Sequence, residues 1–488
     1  MLTKFSISIL LNSLWMIILL GLLVPFFFLA TIDRGDFSIN FILLYLIVLW
    51  STFRLTYTSM FGKRRLSLLL FYVFIYVFMG VQPLSSAWSG IYPHGELSLT
   101  DIRHTYTIFV VIIGVFSFEM GYCRWKLDVN KKPVNTDQKL KYQYISLVNL
   151  WIAILAVTSI VIMSVLIYGL NIFLSLRDGI AFNDSQGAEM SRTEAQLVIN
   201  GIRALAAVLL FISLYKMKIE KLKNSHKKRK FILLAVIFLI FLNLFVSNPL
   251  NAPRLWSGSV FLTSLFILLK WNNSISYRRW AIGACLSLLL LFSGTDPRRI
   301  FSQTLVKGEE VTLDNTLKSI SEGISSLPYD SNFDAFQIVS YTTLYTAEKG
   351  YSWGYQTLLP IFFWVPRSLW PGKPIGTSDV VGEFAGFYSI NVSSPLWTEG
   401  YINFGLIGVI LFLYFFGRAA RVCDHYLSSL TIKSAFQTII SSYFAANTLI
   451  LLRGDLTSGT MYLQMIIVFS LIFLFFFRKE IDLSDKTI

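Results

Sequence analysis

Residues 8–30 read SILLNSLWMIILLGLLVPFFFLA, an apolar run with no charged side chain. A helix needs about 20 such residues to cross the hydrocarbon core of a bilayer, so this run reads as a membrane span. Its length, and the second run that follows almost at once, predict a retained first helix, not a cleaved signal peptide, although Lys4 precedes it. Working outward, eleven further runs occur at about 38–53, 66–84, 105–123, 144–168, 196–216, 231–247, 255–270, 280–293, 403–417, 434–452 and 459–477. The composition agrees: of 488 residues, 55% are hydrophobic and 14% charged, with a mean hydropathy of +0.61. A soluble domain carries about 25% charged residues, so a chain of soluble domains is excluded. The predicted fold class is an all-α polytopic membrane protein of about twelve transmembrane helices. Three stretches follow: 1–293 with spans one to nine, 294–402 as one large external loop, and 403–488 with spans ten to twelve and a cytoplasmic tail.

The net charge of +14 invites a nucleic-acid reading until the charges are placed. With the amino terminus in the cytoplasm, 28 of the 42 Lys and Arg fall inside, 13 outside, and Arg203 within a span. Such a bias sets topology by the positive-inside rule, so both termini are expected to be cytoplasmic. Acids distribute the other way, with seven inside, 20 outside and Glu119 in a span. The tract KMKIEKLKNSHKKRK at 216–230 lies between two spans and reads as a topology determinant, and no nucleic-acid partner is expected. Cys123, Cys285 and Cys423 fall at cytoplasmic helix ends or in a span, which implies no disulfide framework.

Roughly 110 residues from Ser293 to about Ile402 stay outside, and loops of that length are usually functional. In SNFDAFQIVSYTTLYTAE at 331–348, Phe333, Phe336, Val339 and Leu344 recur at near-helical spacing, which predicts a helix lying on the membrane or on the bundle. LLPIFFWVP at 358–366 is too short to span and reads as an interfacial or re-entrant piece. RSLWPGKP at 367–374 follows, with Pro and Gly keeping the backbone irregular between Arg367 and Lys373. A second external loop, at about 169–195, is shorter and polar.

No Gly-rich phosphate loop, metal-type His/Cys spacing or Ser/His/Asp set is present, and the four His leave metal catalysis without its usual ligands. What remains on the outer face is a set of basic residues at helix mouths. Arg254 follows SNPLNAP between spans seven and eight, Arg453 stands in the turn RGDLTSG between the last two spans, and Arg367 and Lys373 flank Trp370-Pro371. Each alone is equally explained as a snorkelling anchor. Together at one end of the bundle they favour an anionic ligand, because guanidinium presents paired donors that match phosphate oxygens. A diphosphate carried on a lipid fits that position. Arg203, about two turns into span six, extends the same expectation, with outward snorkelling as its alternative. Among acids, Glu399 sits just before a span and Asp455 two residues after Arg453. Either would accept a hydroxyl proton if held within hydrogen-bond reach, while Glu399 also fits a first-turn helix acid and Asp455 a solvated turn.

WVPRSLWPGKPIGTSDVVGEF at 364–384 and SSPLWTEGYINFGLIGV at 393–409 together resemble the Wzy-type oligosaccharide repeat-unit polymerases, which include the O-antigen and enterobacterial common antigen polymerases. NAPRLWSG at 251–258 and RGDLTSG at 453–459 are similar to two further landmarks of that family, each centred on an arginine. The resemblance covers the second half of the chain; the first half shares only the layout. It implies a bacterial inner-membrane enzyme, similar in fold to metal-independent C-type glycosyltransferases and O-antigen ligases, with its active site at the periplasmic face and no cofactor. Such an enzyme moves the growing glycan from undecaprenyl diphosphate to the sugar end of a new lipid-linked repeat unit, with a chain-length regulator protein as an expected partner.

On that reading Arg254, Arg367, Lys373 and Arg453, with Arg203 behind them, bind the diphosphate, and Glu399 activates the acceptor hydroxyl, with Asp455 as second choice. Trp370, Trp397 and Tyr401 are candidate sugar-stacking residues, for which anchoring in an aromatic belt is the alternative. Two rivals stay open: an O-antigen ligase, and a flippase or transporter, to which FGKRR at 61–65 gives a faint likeness.

Overall fold

The computed structural model of the chain describes residues 7–32, 35, 37–60, 65–94, 100–123, 141–174, 192–222, 226–248, 252–269, 274–291, 325–387, 392–428 and 434–482. The early part of the long loop (294–324), most of the 169–195 loop and much of the basic cluster at 124–141 lie outside this set. Helices dominate. In order they are α1 (Ile7–Ile18), α2 (Val24–Ala30), α3 (Ile39–Met60), α4 (Leu66–Tyr76), α5 (Gln82–Ser89), α6 (Asp101–Cys123), α7 (Leu147–Tyr168), α8 (Asn171–Leu174), α9 (Arg192–Leu222), α10 (His226–Val246), α11 (Arg254–Leu268) and α12 (Ser274–Leu291). The loop segment and the last three long helices follow as α13 (Ala335–Lys349), α14 (Leu358–Ile361), α15 (Thr377–Phe384), α16 (Leu396–Ser428), α17 (Ala435–Arg453) and α18 (Leu456–Phe477).

Ten helical stretches among the described residues are long and apolar enough to cross a membrane. Their outward faces carry large apolar side chains such as Phe26, Leu166, Phe241 and Phe475, each more than two-thirds exposed, a surface that only lipid tolerates. The chain is a polytopic helical membrane protein. The expected spans eight and nine correspond to α11, 15 residues long, and α12, 18 residues long and carrying Arg278 and Arg279; neither is among the ten. One departure from an all-helical fold is a short antiparallel ribbon, β1 (Lys141–Ile145) with β2 (Arg478–Asp482), which ties the start of α7 to the end of α18.

Two proline-dependent breaks shape the first lobe. Pro25 and Pro83 each follow a five-residue π segment, Leu19–Leu23 and Val77–Val81. Proline lacks the N–H that would bond residue i−4 and its ring crowds that carbonyl, so the helix widens. The freed Gly21 carbonyl accepts Tyr45 Oη at 2.9 Å, and Leu20 O accepts Tyr76 Oη at 2.7 Å. Lipid would offer those carbonyls nothing.

Among the described residues the core divides into two large apolar clusters and one small one. One joins α1–α6, α12, α13 and α16; the second joins α7, α9, α10 and α18; α11 and α17 contribute to both, and the small third cluster joins α13, α15 and Ile402 of α16. Within the first, α6 and α16 run backbone to backbone, Gly121 against Tyr414 and Gly417 against Phe118, the small-residue approach that membrane helices use. At the end away from the long loop, Arg54 grips Glu119 (Nη2 to Oε2 2.7 Å). There too Asp424 of α16 accepts the Ser67 and Leu68 amides at 2.8 and 3.1 Å, so one helix caps another.

Residues 331–348 lie on the bundle: Phe333, Phe336 and Val339 are fully buried, and α13 packs on α6 and α16. The 358–366 stretch runs beside α18, where Gln464 donates to Pro360 O at 2.8 Å. Gln464 lies eight residues into α18, about 12 Å along its axis. Ile361, Phe362, Trp364 and Leu369 around it are exposed.

Candidate functional site

The site is built on a broken helix. α16 departs from helical geometry at Phe404 (φ −143°, ψ 21°) and Gly405 (φ 60°, ψ −144°), which leaves a short first half from Leu396 to Asn403. Gly405 is needed there, since a side chain resists that left-handed backbone. The Ile402 and Asn403 carbonyls freed by the break accept Ser352 N (2.9 Å) and Trp353 N (3.1 Å) from the loop. Irregular backbone in such a place belongs with buried protein or a polar cavity.

Glu399 lies on this half-helix and is 3% exposed. Its Oε1 accepts Ser394 Oγ at 2.7 Å and Leu456 N at 3.2 Å, and its Oε2 accepts Thr377 Oγ1 at 2.8 Å. The acid therefore joins three segments: the approach to its own helix, the first residue of α15 and the first residue of α18. A helix N-terminus presents unpaired N–H groups and a partial positive charge, which favours a carboxylate there. Glu399 is the first-turn acid of its own helix, as the simpler reading expects, and it also accepts an amide at the start of α18.

Arg453 ends α17 beside this acid, and its carbonyl accepts Ser394 N at 3.0 Å. Its side chain donates through Nε to Asn332 O at 3.1 Å, lies over the Phe78 ring at 5.8 Å and places Nη2 4.0 Å from Asp334 Oδ1. Asp334 is 1% exposed, accepts both the amide and hydroxyl of Ser393, and has His94 Nε2 3.1 Å from its Oδ2. Sequence reading missed Asp334; the one signal for it is an acid set inside the apolar spacing of 333–339.

Asp455 is not a loose solvated turn residue. Its Oδ1 accepts Thr457 N at 2.7 Å and caps α18. Its other oxygen faces Gly376, where a Cβ would stand 3.0 Å from Asp455 Oδ2 and 3.2 Å from Asp379 Oδ2. Burial, then the Asp455 charge, pushes the Asp379 carboxyl above its ordinary range. Glu399, Asp455 and Asp379 thus surround the Gly376–Thr377 step, with Arg453 close by. No group of three or more His, Cys, Asp or Glu suited to a metal ion occurs among the described residues.

The other basic residues are placed differently from expectation. Arg367 donates to Lys373 O (2.9 Å) and Pro374 O (3.2 Å), while Lys373 Nζ donates back to Phe363 O (2.7 Å) and Val365 O (2.8 Å). The pair is a reciprocal clip on the 363–374 loop, and burial with the Arg367 charge lowers the Lys373 pKa. Arg203 does not join the Glu399 group: it is 1% exposed in the second lobe and donates to Val246 O (3.0 Å) and Asn200 Oδ1 (3.3 Å). It supports the chain as it enters the turn that leads to α11. Arg254 opens α11; its side chain lies outside the described set.

Of the three aromatic candidates, Trp397 is corrected outright. It is fully buried, donates Nε1 to Val111 O at 3.2 Å and stacks beside Phe71 and Phe74, so no sugar reaches it. Trp370 is half-buried with its edge against Phe362. Tyr401 borders an open cleft of about 390 Å³, also lined by Arg103, Tyr106, Thr343, Thr346 and Tyr351; its hydroxyl lies 2.9 Å from that of Tyr106. No protein-family model, no curated protein and no solved structure matches the chain.

Proposed function

We propose that the chain is a metal-independent glycosyltransferase that polymerises lipid-linked oligosaccharide repeat units at the outer face of a bacterial inner membrane. The observation that carries the reading is Glu399: a carboxylate sealed beneath the long loop, next to a fixed arginine, at one end of a membrane bundle. A carboxylate offers about four lone-pair positions, and three are taken by Ser394, Leu456 and Thr377. The fourth has no partner among the described residues and is left for an acceptor hydroxyl. Ser394 and Thr377 both belong to the loop side of the acid.

In the reaction the acceptor oxygen attacks the anomeric carbon, its proton passes to Glu399, and the bond from that carbon to the diphosphate oxygen breaks. The anomeric centre develops oxocarbenium character, and the departing diphosphate needs donors already in place. Arg453 and Arg254 are the first choices for that role. Arg367 and Lys373 contribute through the loop they hold, and Arg203 through the turn before Arg254. The half-helix ending in unwound backbone agrees with the way transporters also build sites, but a buried acid with a free acceptor position favours chemistry over passage.

The layout behind this proposal has twelve spans, α11 and α12 completing the ten, with both termini cytoplasmic and the 294–402 segment periplasmic. The substrate is an undecaprenyl-diphosphate-linked oligosaccharide, and a chain-length regulator is the expected protein partner. Deletion separates the rivals: loss of a polymerase leaves single repeat units on the lipid core, loss of a ligase leaves none, and loss of a flippase strands units inside. Long glycan of normal distribution in the deletion strain overturns the proposal.

A further inference from the structure

The cleft beside Tyr401 lies apart from the groups that hold Glu399. Tyr401 and Glu399 are two residues apart on one helix, hence about 200° apart around its axis, and their contacts follow that division. Glu399 faces α15 and α18, whereas Tyr401 meets Tyr106 of α6 and Tyr351 of the loop. The half-helix is thus a partition, with the acid on one side and an open aromatic cleft on the other.

From the cleft the rings form a row. Tyr106 to Tyr401 is 6.4 Å between centroids, Tyr401 to Tyr351 is 6.3 Å, and Tyr351 to Trp353 is 5.9 Å. Trp353 ends the row at 76% exposure and holds a left-handed backbone (φ 51°), costly for a large side chain. The cost is met locally: Gly350 and Gly354 turn the chain on either side, and the Trp353 amide is pinned on Asn403 O at 3.1 Å. A bulky apolar ring held outward in a strained backbone, continuous with an open cleft, is a surface built for contact. Arg103 lines the same cleft and donates to Thr343 O at 3.3 Å, and Thr346 and the tyrosine hydroxyls add donors and acceptors. Ring faces for the C–H surfaces of pyranoses, edged by hydroxyls and a guanidinium, suit a saccharide; a lipid chain would gain nothing from the polar edge.

We propose that Tyr106, Tyr351 and Trp353, with Arg103, and with the buried Tyr401 bracing the tyrosines from behind, form a glycan-binding track that holds several sugar residues of a chain on the face of the half-helix opposite Glu399. This rests on the glycosyltransferase reading for the source of the chain, while the binding itself is separable from catalysis. The probe is the surface glycan of the cells that carry this protein, hydrolysed to fragments of one, two and four repeat units and titrated calorimetrically into the full chain in detergent. Affinity is expected to rise with fragment length and to fall at least tenfold in Trp353→Ala and in Tyr351→Ala, with both variants still eluting as single species. Glu399→Gln is expected to bind as the parent does while losing polymer on the order of 10²-fold or more. Length-independent affinity, absence of binding, or retention of binding in both aromatic variants overturns the track. Failure of the glycosyltransferase reading shows elsewhere, as long glycan of normal distribution in the deletion strain, and leaves the binding result intact.

Discussion

The carboxylate of Glu399 accepts the main-chain N–H of Leu456 at 3.2 Å, which joins the broken helix to the first turn of the last one. A fixed amide cannot turn away when its partner is lost, unlike the Ser394 and Thr377 hydroxyls that share the acid. Glu399→Ala therefore leaves a part-buried donor unmatched, at up to about 1–3 kcal/mol, and is expected to melt lower in detergent. Glu399→Gln keeps an acceptor for the amide while removing the base, so it is expected to fold normally and lose polymer on the order of 10²-fold or more. Near-normal glycan ladders from Glu399→Gln would move the base role to another residue.

Arg453 owes its position to Asp334, 4.0 Å away, and to the Asn332 carbonyl. Asp334→Asn retains an acceptor for Ser393 and removes the charge facing the guanidinium. It is expected to weaken polymerisation about tenfold, by misplacing an otherwise intact arginine. Arg453→Lys, which keeps the charge but not the planar donor set, is expected to fall at least as far. Glycan length profiles at matched membrane abundance decide both; an Asp334→Asn profile like the parent's would remove Asp334 from the site.

The ten long spans were legible because lipid imposes one rule on every outward residue, and an apolar run of the right length satisfies it. Glu399, Arg453 and Asp455 were legible as well, since each stands at a helix end marked by Pro or Gly. What escaped was partnership. Arg367 and Lys373 read as ligand contacts because sequence shows their charge but not the four carbonyls they satisfy. Trp397 read as a sugar-stacking or belt aromatic, whereas Gly114 lets it lie against α6 in the core. Asp334 and Arg103 acquire significance only when segments far apart in the chain, 332 with 453 and 103 with 343, are brought together.

Asp379 offers a pH-dependent test. Its folded pKa is raised, by burial first and by Asp455 next, so the folded state favours the protonated acid. The associated stability is present below the ordinary aspartate range and is lost as pH rises through the raised value. Asp379→Asn removes the repulsion permanently. A higher melting temperature than the parent is expected at neutral pH, with the two curves merging as pH drops below about 4. A gain that persists unchanged in acid would refute the electrostatic cause.

The clip between Arg367 and Lys373 predicts coupled effects. Each side chain holds carbonyls on the other's stretch of loop, so losing either frees the same 363–374 segment and losing both adds little. Limited proteolysis of membranes is expected to cut this segment faster in Arg367→Ala and in Lys373→Met. The double variant should be no faster than the quicker single one, a coupling on the order of 0.5–3 kcal/mol. Because Gly376 and Thr377 follow directly and Thr377 donates to Glu399, polymer yield should fall in parallel with loop protection. If activity disappears while protection is unchanged, the two residues touch substrate directly, and the diphosphate role expected from the sequence is theirs after all.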